Sequence, residues 1–236
     1  MSLRPLLVLV LAATTSFVAA VEEGFTDLFN GKDLTGWEGE KELWSVADGT
    51  IVGQTTADKK AKHNTFLFWR GGTVADFELR FSARLSPGNN SGLQYRSKEF
   101  PDFVARGYQC DINAGPDNMC KLYEEGFRGR IAMPGEKVTM SADPAQNDSK
   151  VPGKKITGTT VDGDALKKVE KKADWNEFRI VAQGNRLQHW MNGTLIIDLT
   201  DEDEKKRAAS GILALQIHAG GTMKIEFKDL RLKVLK

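Results

Sequence analysis

An all-β fold, a sandwich or a barrel, is what this sequence predicts. Short segments rich in Val, Ile, Phe, Trp and Thr recur along the chain, with turn signals between them at spacings of about 8–12 residues. No heptad, internal repeat or Gly-rich phosphate loop interrupts that pattern. Residues 28–31 and 34–37 read as an opening strand and a turn. Trp44-Ser45-Val46 and Thr50-Ile51-Val52 flank Asp48-Gly49, a two-residue hairpin signal because both turn positions need positive φ. Thr65–Trp69 is a short strand, and Phe77–Leu85 alternates as a half-buried one. Residues 178–182, Arg186–Met191 and 194–199 form a meander whose second turn is Asn192-Gly193. Residues 223–227 and 230–234 complete the sheet.

Two stretches depart from this rhythm. Residues 133–172 carry Pro134, Gly135, Pro144, Pro152 and Gly153 among Lys-rich runs, and are predicted to be one or two long surface loops with at most a short hairpin. Residues 200–209 place Asp201-Glu202-Asp203-Glu204 before Lys205-Lys206-Arg207. That order matches the helix dipole and predicts one or two helical turns.

Three strands put polar side chains on one face of an apolar segment. Strand side chains alternate with period 2. On that rule Gln94 shares a face with Arg96, Gln109 with Asp111, and Gln216 with His218, while Tyr108, Cys110, Leu215 and Ile217 point the other way. Neighbouring strands of this kind build one concave surface with directional hydrogen-bonding and acid–base groups, suited to a sugar. The plain alternative is a solvated outer face.

Residues 1–20 have the three parts of a secretory signal peptide: Arg4 in a short basic start, an apolar centre, and Val18-Ala19-Ala20 at a cleavage point near Ala20. The apolar run is short for a membrane span. Export makes the protein secreted or periplasmic, with residues 21–236 as a single domain and no membrane association after cleavage. The whole chain has 33 basic and 32 acidic residues. Losing Arg4 balances the two signs, which argues against nucleic acid as a partner. Cys110 and Cys120 are the only cysteines. They could pair across the intervening loop in an oxidising compartment, or Cys110 could serve as a small buried hydrophobe.

The ordered motifs resemble a known family. Phe29-Asn30-Gly31-Lys32-Asp33-Leu34-Thr35-Gly36-Trp37 stands near the start of the domain. Asn90-Ser91-Gly92-Leu93-Gln94-Tyr95-Arg96, Gly107-Tyr108-Gln109-Cys110-Asp111-Ile112 and Leu122-Tyr123-Glu124-Glu125 with Arg128-Gly129 follow. Trp175-Asn176, Asn192-Gly193 and Leu215-Gln216-Ile217-His218 complete the series. Together they resemble the 3-keto-disaccharide hydrolase domain family, over most of the chain from about residue 24 to residue 233. The resemblance implies a concanavalin A-like jelly-roll β-sandwich of two antiparallel sheets, with ligands on the concave sheet. It also implies action on glycosides oxidised at the third sugar carbon. The resemblance implies Glu-x-Gln in many members of the family where this chain has Gln109-Cys110-Asp111.

A ketone at carbon 3 acidifies the hydrogen at carbon 2. Its removal allows β-elimination of the group at carbon 1, and water can then add. The route needs a base, an enolate stabiliser and an acid for the leaving oxygen. The expected catalytic set is His218 or Asp111 as base, Arg96 at the enolate, and Glu124 at the leaving group. Gln94, Gln109 and Gln216 are expected to orient hydroxyls, with Tyr123, Arg128 and Trp175 completing the substrate-binding set. His63 and His189 are expected to be structural or exposed. No cofactor and no metal ligand is assigned, although Asp111, Glu124 and His218 could together hold a divalent ion. The competing functions are a lectin-like carbohydrate-binding module, which relies on aromatics with few ionisable groups, and a conventional sandwich glycosidase with two carboxylates.

Overall fold

The computed structural model describes residues 22–115 and 118–236. The expected signal peptide lies outside the described residues. In chain order the strands are β1 (Thr26–Asp27), β2 (Trp37–Glu38), β3 (Trp44–Ala47), β4 (Thr50–Thr55), β5 (Thr65–Trp69), β6 (Phe77–Leu85), β7 (Asn90–Phe100), β8 (Val104–Asn113), β9 (Leu122–Glu125), β10 (Gly129–Ala132), β11 (Glu136–Met140), β12 (Lys154–Thr159), β13 (Asn176–Gln183), β14 (Arg186–Met191), β15 (Thr194–Asp201), β16 (Ile212–Ile217) and β17 (Met223–Val234). Among the described residues one α-helix, α1 (Gly163–Val169), precedes β13.

The larger sheet runs β12-β11-β15-β14-β13-β6-β17-β4-β3, with β1 added on β17; the smaller runs β10-β9-β8-β7-β16-β5-β2. All pairings between these strands are antiparallel except β11 with β15. This is the concanavalin A-like jelly-roll sandwich. Its core lies between the sheets, where Leu79, Phe81, Ile180 and Leu187 of the larger sheet join Leu93, Tyr95, Tyr108, Leu215 and Ile217 of the smaller in one buried apolar cluster. The Tyr95 hydroxyl and His189 Nε2 meet at 2.9 Å across the layers, so His189 is a buried structural histidine. Among the described residues no helix is long and apolar enough to cross a membrane.

The two dipeptide turns form as the sequence predicts. Asp48 and Gly49 have φ of 49° and 71°, Asn192 and Gly193 of 47° and 79°, the mirror-image turn that matches strand twist. Three segments differ from expectation. Residues 133–172 are more ordered than loops: β11 and β12 pair antiparallel, and β11 joins β15 at the sheet edge. Asp162 caps α1 by accepting from the Asp164 and Ala165 amides. Residues 202–209 form turns rather than helix, because the buried Asp203 carboxylate accepts the Lys205 amide and pairs with Lys206, a local alternative to helical bonding. Residues 122–125, which the sequence reading assigns to no strand, form the short strand β9, paired with both β8 and β10.

Candidate active site

The outer face of the smaller sheet carries a polar cavity of about 220 Å³. It is lined by Gln109, Asp111 and Asn113 of β8, Asn90 of β7, Tyr123 and Glu125 of β9, Arg130 of β10, and Lys121, Asn64 and His218 from flanking segments. Strand alternation sets this out. In β8, Tyr108, Cys110 and Ile112 belong to the core, which turns Gln109, Asp111 and Asn113 outward.

Gly92 is what lets the strands communicate. It lies on β7 between β8 and β16, and a Cβ there would sit 2.5 Å from Gln109 Cδ. With no side chain at 92, Gln109 lies across β7. Its Nε2 donates to Asp111 Oδ1 at 2.7 Å and to Gln216 Oε1 at 3.2 Å, and its Oε1 accepts from Gln94 Nε2 at 2.9 Å. Two buried polar atoms of this face have no partner among the described residues, Gln216 Nε2 and Asn90 Oδ1. Buried groups of this kind call for a hydrogen-bonding ligand or water. Gly92→Ala is expected to displace Gln109, leave the buried Gln94, Asp111 and Gln216 without that partner, and lower the melting temperature by several degrees. A thermal melt checks this.

Asp111 is buried and ion-paired with the Lys121 ammonium. His218 follows β16 directly, and its Nδ1 lies 2.7 Å from the Ala219 carbonyl. A carbonyl can only accept, so Nδ1 carries a hydrogen, and Nε2 is the ring nitrogen left to act as a base. The Ala219 amide donates to Asn64 Oδ1 at 3.0 Å. Asn64 and Glu125 both line the cavity, so the asparagine that holds the His218 loop stands beside that carboxyl. Burial, reinforced by the Asp111 charge, raises the Glu125 pKa above its ordinary value, against the opposing pull of Asn64, His218 and Arg106. Burial and the Glu125 and Asp111 charges likewise raise the Tyr123 phenol.

A second, more open depression of about 500 Å³ adjoins the first and shares Asn64 and Glu125 with it. His63, Phe66, Val104, Ala105, Arg106 and Gly126 line the rest. Glu125 therefore stands where the two hollows meet.

Of the residues expected from the sequence, Asp111, His218, Gln109 and Tyr123 line the cavity, and Gln94 and Gln216 belong to the amide network beneath it. Four others do not reach it. Arg96 sits at a β-bulge, with φ of 46° and the β7–β8 register broken between Tyr95 and Lys98. The bulge breaks the alternation and sends Arg96 to the Ala75 carbonyl at 2.7 Å, the Gly184 carbonyl at 2.7 Å and Asp76 at 2.8 Å. Glu124 shares the parity of buried Leu122, so it points into the sandwich and pairs with Arg128. Arg128 in turn binds Asp201. Trp175 lies against the larger sheet, with the Arg84 guanidinium 4.9 Å and the Lys228 ammonium 4.4 Å from its ring. Because Glu124 faces away from Asp111 and His218, these three cannot converge on one ion.

The residues missed were Glu125, Lys121, Arg130, Asn64, Asn90 and Asn113. The period-2 rule would have found Glu125: in Leu122-Tyr123-Glu124-Glu125 the apolar Leu122 fixes Glu124 inward and Glu125 outward. Asn113 continues the Gln109, Asp111 parity in the same way.

Fold and site together define a β-sandwich that offers a polar, acid–base-equipped pocket on its smaller sheet. The family model described as the 3-keto-alpha-glucoside-1,2-lyase-like domain matches residues 24–233, and the chain belongs to that family, whose chemistry is that of carbohydrates. Among curated proteins none matches this chain. A solved structure from Parabacteroides distasonis, provisionally described as a glycosyl hydrolase, is 21% identical, covers 91% of this chain and 95% of its own, and superposes with a TM-score of 0.59. A Bacillus subtilis protein with a galectin-like fold is 11% identical over 89% of this chain and 94% of its own, with a TM-score of 0.57. The carbohydrate-binding module CBM66 from Bacillus subtilis is 13% identical over 84% and 95%, with a TM-score of 0.52. At these identities the likeness is one of fold.

Proposed function

We propose that this protein is an exported enzyme that cleaves the glycosidic bond of 3-keto-glycosides by elimination and hydration. The observation that carries the reading is the cavity's pairing of two acid–base groups of opposite readiness: His218, which presents a free Nε2, and Glu125, whose carboxyl is biased towards its protonated form. His218 removes the proton from carbon 2. Glu125, at the junction of the two hollows, donates to the departing oxygen, with the oxidised ring in the smaller cavity and the leaving group in the more open one. Lys121 and Arg130 are the cations that line this cavity, and they take the enolate role expected of Arg96. Asp111 holds Lys121 in place, and Gln109, Asn90 and Asn113 offer amides to the sugar hydroxyls. Tyr123 forms part of the wall.

The family supports the substrate class, and the ionisable lining favours an enzyme over a binding module. A conventional two-carboxylate glycosidase is disfavoured because Asp111 is engaged by Lys121 and Gln109. The basic, apolar and small-residue succession over residues 1–20 supports export. Incubation with a 3-keto-disaccharide is expected to release free monosaccharide, and the unoxidised disaccharide is expected to remain intact. Cleavage of both at similar rates, or of neither by folded protein, would overturn the proposal.

A further inference from the structure

Cys110 and Cys120 sit back to back with the catalytic face, each one residue before a group of the buried ion pair Asp111–Lys121. Both thiols are fully buried, with Sγ atoms 3.8 Å apart. Two backbone bonds fix the segments: the Asp111 amide donates to the Lys121 carbonyl at 3.0 Å, and the Cys120 amide to the Asp111 carbonyl at 2.8 Å. Cys120 has φ of 68°, in the left-handed region where glycine is at ease and a side chain is strained. A non-glycine residue held there by its surroundings points to a use for its side chain.

His189 makes a third soft-ligand group with the two thiols. Both its ring nitrogens are engaged, however. Nδ1 lies 3.2 Å from the Cys120 carbonyl, which can only accept, so Nδ1 carries the hydrogen and Nε2 accepts from the Tyr95 hydroxyl. A metal ion would have to displace a buried tyrosine, whereas the two sulfurs need only about 2 Å of approach to reach bonding distance.

We propose that Cys110 and Cys120 form an intrachain disulfide that clamps the β8–β9 connection beneath the site. One cysteine thiolate attacks a donor disulfide, supplied by a protein or low-molecular-weight oxidant, and releases one thiol. The second cysteine thiolate then attacks the mixed disulfide, and the donor leaves as two thiols carrying both electrons while the cysteines give up two protons. Burial raises the Cys110 thiol well above its ordinary pKa, so the exchange takes place before the strand is packed. The bond fixes the register that sets Asp111 opposite Lys121. It does not depend on the sugar reading.

The test is intact-mass analysis of protein folded with glutathione disulfide, unfolded and alkylated without reductant. The expected product has no alkylated cysteine, and proteolysis leaves peptides containing Cys110 and Cys120 joined. The oxidised protein is expected to melt several degrees higher than after reduction, while the Cys110→Ala, Cys120→Gly double variant shows no effect of reductant. Two alkylated thiols in the oxidatively folded protein, or stoichiometric zinc or copper that protects them, would overturn the disulfide. So would equal melting with and without reductant. Activity does not enter these measurements, so their failure is separable from failure of the enzymatic proposal.

Discussion

Glu125→Gln is expected to lower turnover of 3-keto-disaccharides by about 10²–10⁴-fold, the usual contribution of a positioned general acid. The loss should depend on the leaving group. A 3-keto-glycoside with an acidic aryl leaving group needs no proton on the departing oxygen, so the Glu125→Gln variant should retain most of the wild-type rate with it. A purely structural role for Glu125 would slow both substrates alike. His218→Ala should instead slow both, because removal of the carbon 2 proton precedes departure of either group. In deuterated water, Glu125→Gln should still exchange that proton while His218→Ala should not. Exchange lost equally in both variants would sink the division of labour between them.

The pH dependence follows from the same carboxyl. Its pKa is raised in the folded protein, chiefly by burial and then by Asp111. Activity towards the poor leaving group should fall as pH rises through that raised value. The sign for stability is opposite to that of an ion-paired acid. The native state holds the proton more tightly than the unfolded chain, so below the unfolded carboxylate pKa there is no penalty. The penalty grows as pH rises through the window between the two values and is complete above the folded one. The amide introduced by Glu125→Gln carries no charge, so that variant should melt at or above the wild-type temperature at neutral pH. An inactive variant of undiminished stability is the signature of a strained functional group.

How much of this was legible in the sequence depended on whether one strand's alternation held. In β8 and β16 it did, and Gln109, Asp111, Gln216 and His218 fell on the outer face as the residues predict. In β7 a bulge at Arg96 broke the period, and nothing in Gln94-Tyr95-Arg96-Ser97 announces a residue at positive φ. Glu124 was misplaced for a different reason. Its segment is short enough to read as a loop, and a loop has no period by which to place Glu125 outward. Lys121 and Asn64 enter from irregular segments, which carry no period to read. The fold itself was plain because Asp48-Gly49 and Asn192-Gly193 pin two hairpins and the long strand β6 alternates apolar with polar residues along its length.

The inward-facing Glu124, Arg128 and Asp201 predict the largest loss of stability. Arg128 forks between the two carboxylates: its Nε pairs with Glu124, and its Nη1 and Nη2 reach Asp201 at 3.1 and 2.5 Å. The Tyr108 hydroxyl donates to the same Asp201 at 2.5 Å, and burial followed by the Asp201 charge holds that phenol protonated. Burial works against charge on Arg128, but bonds from Asp201 and Glu124 outweigh it and raise its pKa. The cluster joins β8 and β9 of one sheet to the end of β15 in the other. Arg128→Met keeps the side-chain volume and removes the cation that bridges two carboxylates almost completely inaccessible to water. Leaving buried charges uncompensated costs about 3–5 kcal/mol, a fall in melting temperature on the order of 10 °C for a domain of this size. Chemical denaturation read by fluorescence or circular dichroism measures it. The loss should shrink when Glu124→Gln and Asp201→Asn are added, because the repelling charges are then gone. If Arg128→Met alone proves neutral while turnover collapses, the guanidinium belongs to the sugar site after all, and the inward packing of Glu124 with it.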